Sequence, residues 1–405
     1  MPASHPRVLV VTNDFPPTVG GIQSYLRDYV ATLDPSRVVV FASTQDGDAA
    51  TIFDAERAYT VVRWPRTVML PTPAVARRMM QLIREHDIHT VWFGAAAPLA
   101  VLAPQARRAG ARRIIASTHG HEVGWSMLPG ARQVLRYIGR HVDTLTYVSR
   151  YARNRFAGAF GPDVGWEPMP GGVDTTVFRP QPELSAQLRR RHGLEDASVI
   201  VAVSRLVPRK GQDTLIKALP TIVKRVPNAH LLLVGPGDYR SALRRLAVTL
   251  GVEDHVTMTG PVDFAELAGY YGAGDVFALP VRTQLGGLSV EGLGIVFLEA
   301  QACGVATVAG NGGGAPETVI DGSTGLVVDG RNPERVADTL ADLLNNPEMR
   351  HQLADRGVTA VNHAWTWDAL GAQLRAVIAG DGGIPPRHSW NAAGDTLGSA
   401  PVTRD

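Results

Sequence analysis

A short apolar run followed by a helical stretch recurs along almost the whole chain. In the first half the runs are Val8–Thr12, Val38–Ala42, Val61–Trp64, Thr90–Phe93, Arg113–Ser117 and Thr144–Val148. Helical periodicity lies between them over Ile22–Leu33, Ala74–Glu85 and Leu99–Ala109. Apolar runs this short, separated by helices, predict βαβ units around a buried parallel sheet. The segment Met169–Glu183, MPGGVDTTVFRPQPE, breaks the pattern. It is rich in Gly and Pro and reads as a linker. The alternation then restarts, with strands expected at Val199–Ser204, His230–Val234, Val256–Thr259, Val276–Leu279 and Val305–Ala309. The matching helices are Gln212–Lys224, Tyr239–Leu250, Asp263–Tyr271, Ile295–Ala302 and Pro333–Leu344. The fold class is therefore α/β, with two doubly wound, Rossmann-like domains in series, which suits 405 residues. Ligands of such sheets gather outside the carboxyl ends of the strands, and two such domains facing each other would make a cleft.

The domains are expected over residues 1–175 and 176–364. Residues 365–380 are expected to form a helix returning to the first domain. The Gly- and Pro-rich remainder, 381–405, reads as a loosely attached tail. Charged residues make up 19% and nearly cancel to +2, so bulk charge does not suit nucleic acid. The lone Cys303 leaves no disulfide framework and no cysteine zinc site, which fits a cytosolic compartment. The first residues do not read as a signal peptide, and no stretch approaches the ~20 apolar residues of a membrane span.

Several loops carry residues suited to chemistry. In VTNDFPPTVGGIQSYL, Gly20 and Gly21 precede a helix. They either let a phosphate reach backbone N–H groups or simply satisfy a tight turn. In VSRLVPRKGQDTLIKAL, Arg205, Arg209 and Lys210 cluster past a strand end and suit an anion, although the order is not that of a Walker loop. In STHGHEVGW, His119, His121 and Glu122 lack helical metal-site spacing and read as a polar cluster at a strand end, or as the lining of a polar substrate pocket. Asp46 and Asp48 in QDGDAA read as a solvated turn rather than a cation site. Gly312–Gly314 form a flexible turn or shape a ligand site.

The stretch LSVEGLGIVFLEA places Glu291 just before a helix and Glu299 in its second turn. Acids there are favoured by the helix dipole. Gly292 and Gly294 stand where a capping side chain would be, leaving amides open beside two carboxylates. That combination suits sugar hydroxyls and phosphate together. Ser289 is no hydrolase elbow, because Glu291 occupies the second glycine position of that motif.

Glu291 and Glu299 in EGLGIVFLE, Arg205 and Lys210 in SRLVPRKG, and Gly20-Gly21 together resemble the retaining glycosyltransferases of family GT4, which have the GT-B fold. GGVDTTVFRP resembles that family's inter-domain segment. More narrowly, TNDFPP…GGIQSYL, VWFGAAAPLA, STHGHEVGWSMLPGAR and EGLGIVFLEAQACGV resemble actinobacterial GDP-mannose-dependent phosphatidylinositol-mannoside α-mannosyltransferases. The resemblance implies a nucleotide-sugar donor, GDP-mannose, and an acceptor that is a lipid-linked inositol mannoside. It implies no metal or other cofactor and no nucleic-acid partner.

By the same resemblance, Arg205 and Lys210 hold the donor diphosphate, and Gly20 and Gly21 approach it. Glu299 takes the ribose. Glu291, with the amides of Gly292, Leu293, Gly294, Ile295 and Val296, holds the donor sugar. His119 lies by that sugar, Asp14 lies near the acceptor, and the base sits around Met258–Val262. The transfer proceeds on one face of the sugar, with the leaving phosphate assisting deprotonation of the acceptor. Leu285 and Ser289 depart from the Gly and Asp expected beside the donor sugar. Other donors and acceptors follow the same pattern, such as a UDP-sugar with a diacylglycerol or small metabolite, as does a non-catalytic sugar-nucleotide-binding subunit.

A lipid acceptor implies a cytoplasmic protein, peripheral on the inner face of the plasma membrane and touching its anionic surface. The basic helices Pro73–His86, with Met79, Met80, Leu82 and Ile83, and Leu128–His141 either lie on that surface or pack on their own sheet.

Overall fold

The structure is a computed structural model that describes residues 6–284 and 289–380. The expectations placed on Leu285 and on the tail 381–405 lie outside the described residues. The chain divides into two compact units: one runs to Gly171 and takes in the helix Trp367–Ala379, and the other covers Gly172–Thr366.

The first unit is built on a parallel sheet of β1 (Val8–Thr12), β2 (Val38–Ser43), β3 (Thr60–Trp64), β4 (Thr90–Phe93), β5 (Arg113–Thr118), β6 (Thr144–Tyr147) and β7 (Gly165–Pro168). Its order is β3-β2-β1-β4-β5-β6-β7. All five residues of β1 are buried, because helices cover both faces. One core holds Leu9, Val11, Phe41, Met79, Leu82 and Ile83; the other holds Val8, Val10, Leu26, Tyr29 and Trp92. The helix Trp367–Ala379 closes the second of these with Leu370, Leu374, Val377 and Ile378. Its last carbonyls are taken up by the unit it joins: Arg113 Nε donates to Val377 O at 2.6 Å and Thr90 Oγ1 to Ile378 O at 3.2 Å. Hydrogen-bonding these carbonyls satisfies the end of the helix.

The second unit repeats the plan with β8 (Ser198–Val203), β9 (Ala229–Val234), β10 (Val256–Gly260), β11 (Val276–Leu279), β12 (Ala306–Gly310) and β13 (Leu326–Val328), in the order β10-β9-β8-β11-β12-β13. The order therefore reverses between β1 and β4 in one sheet and between β8 and β11 in the other. Those reversals are where open α/β sheets leave a crevice.

Some local expectations are corrected. QDGDAA is not a solvated turn: Asp46 caps a helix Gly47–Ala55, its carboxylate accepting from Ala49 N at 3.1 Å. The stretch from Leu99 is a 3₁₀ turn, Leu99–Leu102, followed by a helix Ala103–Ala109, with Pro104 at the break. The apolar residues Met79, Leu82 and Ile83 face their own sheet, as do Leu135 and Ile138 of the helix Pro129–His141. Among the described residues, no helix is long and apolar enough to cross a membrane.

Truncating Leu374, fully buried near the chain's end, is expected to destabilise the first unit. Leu374→Ala should cost ~2–5 kcal/mol, read from urea unfolding followed on the first unit's tryptophans. A loss confined to the second unit would contradict the packing.

Candidate functional site

In the second unit the loops that follow β8 and β11 meet at the reversal. Pro208–Lys210 forms a 3₁₀ turn after β8, and Gly211 then takes φ +80 to start the helix Gln212–Arg225. A Cβ on Gly211 would stand 2.1 Å from Pro280 O, just past β11. Only glycine permits both that φ and that approach. The contact brings Lys210 inward, and its Nζ lies 2.6 Å from Glu291 Oε2, with both side chains largely out of water.

A second glycine holds Glu291 from the other side. Gly313 has φ +64, and a Cβ there would stand 2.2 Å from Glu291 O. Gly314 N donates to the same carbonyl at 2.9 Å. Gly313 and Gly314 thus back Glu291, while Gly312 packs on Val281 and Arg282.

Glu299 sits one helix turn inside the helix Ile295–Ala302, whose Phe297, Leu298, Ala300 and Ala302 are buried. Its Oε2 accepts from the Tyr271 hydroxyl at 2.5 Å. Burial pushes the Glu299 carboxyl up, opposed by Tyr271 and by the charge of Lys210. Lys210 is thus paired with Glu291 and acts on Glu299 through its charge. Gly294, at φ +93, begins the helix with no side-chain cap, so the entrance amides remain open, and Gly292 has free space around its α-carbon. Arg205 is exposed, and Arg209 Nε is buried with no hydrogen-bond partner. Val262 is half-buried in the loop after the edge strand β10. Ser289 pairs with Gln284 through both backbone groups, at 2.9 and 3.2 Å.

In the first unit Asp14 follows β1, and its Oδ1 accepts from Gln23 Nε2 at 3.1 Å. Burial raises its carboxyl, with His121 opposing. His119 follows β5, and its Nε2 lies 2.7 Å from Gly94 O, just past β4. A carbonyl accepts only, so this nitrogen carries the proton. The Tyr25 ring stands edge-on at 4.9 Å. Burial lowers His119 from 6.5 to about 4, which keeps the ring neutral and leaves Nδ1 as an acceptor. Gly20 and Gly21 open the helix Gly21–Ala31, again with no side-chain cap.

Glu122 is fully buried and accepts from His119 N at 3.1 Å and Gly120 N at 2.9 Å. It holds the histidine loop, and no group of metal-ligating side chains occurs among the described residues. Sequence reasoning missed Tyr271 as the partner of Glu299 and Glu122 as the anchor of His119. Tyr271 carries no local signal, because only the fold brings it across.

Residues 19–177 match the family model described as Glycosyltransferase Family 4, and residues 185–359 the one described as Glycosyl transferases group 1. The GDP-mannose-dependent alpha-(1-6)-phosphatidylinositol monomannoside mannosyltransferase of Mycobacterium tuberculosis (strain ATCC 25618 / H37Rv) is 57% identical over 380 residues, spanning 93% of this chain and 98% of that protein. The chain belongs to glycosyltransferase family 4. The corresponding monoacylated phosphatidylinositol monomannoside mannosyltransferase of Corynebacterium glutamicum is 52% identical, covering 92% of this chain and 97% of its own. The crystal structure of Anabaena Alr3699/HepE in complex with UDP superposes with a TM-score of 0.75 at 20% identity, over 92% of this chain and all of that one. The fold is accordingly GT-B.

Because His119 is held neutral in the fold, the unfolded chain alone takes up its proton as pH falls below about 6.5. The histidine's contribution to stability is therefore present above that pH and lost progressively toward about 4. A ring-proton NMR titration, assigned with His119→Gln, should show a midpoint near 4. A midpoint near 6.5 would contradict the burial.

Proposed function

We propose that this chain transfers mannose from GDP-mannose to a phosphatidylinositol mannoside, with retention at the anomeric carbon. The observation that carries the reading is Lys210, ion-paired with Glu291 and within reach of the charge of Glu299, at the reversal point of the second sheet beside an uncapped helix. The printed activities of the relatives at 57% and 52% identity support this donor and acceptor.

In this reading the second unit holds the donor. An ammonium has three donors, so Lys210 keeps Glu291 and still reaches a diphosphate oxygen. Arg205 adds its fork, and the glycine-opened amides Gly292 to Val296 add the positive end of a helix. Gly20 and Gly21 offer further amides to the donor phosphates. Glu299 has one oxygen committed to Tyr271, and the other accepts from the ribose. Glu291 and the adjoining amides hold the mannose hydroxyls, while Val262 and its neighbours border the base.

The first unit receives the acceptor. His119, neutral, accepts a hydroxyl through Nδ1, and Asp14 orients the acceptor. The bond from the anomeric carbon to the β-phosphate oxygen breaks, and the acceptor oxygen bonds to that carbon on the same face. The acceptor's proton passes to the leaving phosphate. Fixed cations carry the charge that develops on GDP, so no metal is needed. A lipid acceptor calls for a peripheral position on the cytoplasmic face of the plasma membrane. The exposed Met127 and Leu128, next to the exposed Arg132 and Arg140, suit such an anionic surface.

Incubating the full chain with GDP-mannose and phosphatidylinositol monomannoside vesicles should release GDP and lengthen the lipid by one hexose. Absence of extension with every phosphoinositide acceptor would overturn the reading. Thermal shift should favour GDP over UDP, and the reverse order would assign a different donor. Lys210→Ala should lower kcat by ~10²–10³-fold and weaken GDP binding. Unchanged GDP binding in that variant would refute the anion site.

A further inference from the structure

The first unit carries a groove that none of this chemistry uses. It lies outside the edge strand β7, beside the helices Pro129–His141 and Arg150–Phe160, and has a volume of about 410 Å³. Arg136, Arg153, Gly158, Gly161 and Trp166 line it, together with Ala157 and Pro162, and no carboxylate does.

Arg153 is the unusual member. Its Cζ lies 5.4 Å from the Tyr147 ring centroid and 5.6 Å from that of Trp166. Trp166 is in turn anchored on Phe160 at 5.6 Å and Phe156 at 6.0 Å. The guanidinium is therefore held on rigid aromatic faces, which it favours. Yet its Nε is buried and has no hydrogen-bond partner. An unmet buried donor costs about 1–3 kcal/mol, more when charged. Arg136 is exposed and has no carboxylate partner among the described residues. A Cβ placed on Gly161 would come within 4.0 Å of Arg136 Nε, so that side chain overhangs the floor. At Gly158 a Cβ would meet nothing within 4 Å, so the floor is open.

We propose that this groove is a phosphate-binding site, distinct from the site of sugar transfer. Two guanidiniums, one of them held on aromatic rings with a buried Nε unpaired, line a groove whose floor at Gly158 carries no side chain and whose wall is the flat face of Trp166. Planar forks of this kind match phosphate oxygens in pairs. The site lies toward the amino end of β7: Gly161 and Pro162 precede that strand, and Trp166 is its second residue. The phosphate belongs either to a phospholipid headgroup or to a soluble phosphomonoester, and the chemistry of recognition is the same for both.

The test uses the full chain and two probes: vesicles of phosphatidylcholine with or without phosphatidylglycerol, and glycerol 3-phosphate. Arg136→Gln, Arg153→Gln and Gly158→Glu are compared with Gly158→Ala. Arg136 and Gly158 are exposed, so those variants should fold even if Arg153→Gln does not, and binding at other sites is common to all. The first three should weaken binding about tenfold each, and Gly158→Ala should not. An effect on phosphatidylglycerol vesicles alone assigns a lipid headgroup. An effect on glycerol 3-phosphate alone assigns a free phosphate. Equal binding by the parent chain and the three variants, with both probes, overturns the proposal whatever the donor and acceptor prove to be.

Discussion

The contact between Lys210 and Glu291 is the point around which the second unit is organised. Two opposite charges 2.6 Å apart and largely out of water attract strongly, but each has lost hydration to get there. The pair is tolerable only because its surroundings leave no freedom to drift. Gly211 lets the loop after β8 press on Pro280, and Gly313 lets the loop after β12 press on Glu291. At each, an added Cβ would stand about 2 Å from a backbone carbonyl oxygen. The ion pair and these backbone contacts therefore form a single unit.

Charge explains what such a unit is for. Arg205, Arg209 and Lys210 share the loop after β8, and of these Lys210 is paired with Glu291 beside an uncapped helix entrance. An anion of high charge density suits those cations, and a sugar's hydroxyls suit the carboxylates beside it. The first unit's reversal point is different in kind. A neutral His119, its loop anchored by the buried Glu122, and a half-buried Asp14 offer polar groups suited to hydroxyls.

Elements whose identity rests on burial were readable from residues alone. Thr90–Phe93, Val276–Leu279, Ile295–Ala302 and Pro333–Leu344 occur with the bounds their apolar patterns predict. The edge strands Gly165–Pro168 and Leu326–Val328 were not expected, because an edge needs no continuous apolar run and the former even ends in proline. The helix Gly47–Ala55 was hidden because Asp46 and Gly47 look like a turn until the aspartate is seen to cap it. At the site, Arg205, Lys210, Glu291 and Glu299 were named from motif and chemistry. Their mutual arrangement was not, since Lys210 reaches Glu291 only after two loops from separate strands stack.

The sequence by itself determined the two α/β repeats, the break within Met169–Glu183 and the residue types that favour phosphate and hydroxyls, because these follow from local periodicity and side-chain chemistry. Tertiary structure alone decided that Tyr271 occupies one oxygen of Glu299 and that Gly313 and Gly314 back Glu291. It also decided that Arg153 keeps a buried donor unspent beside Trp166. Each of these is a meeting of residues far apart in the chain, set by packing and close backbone approach, and no local pattern encodes where such partners fall.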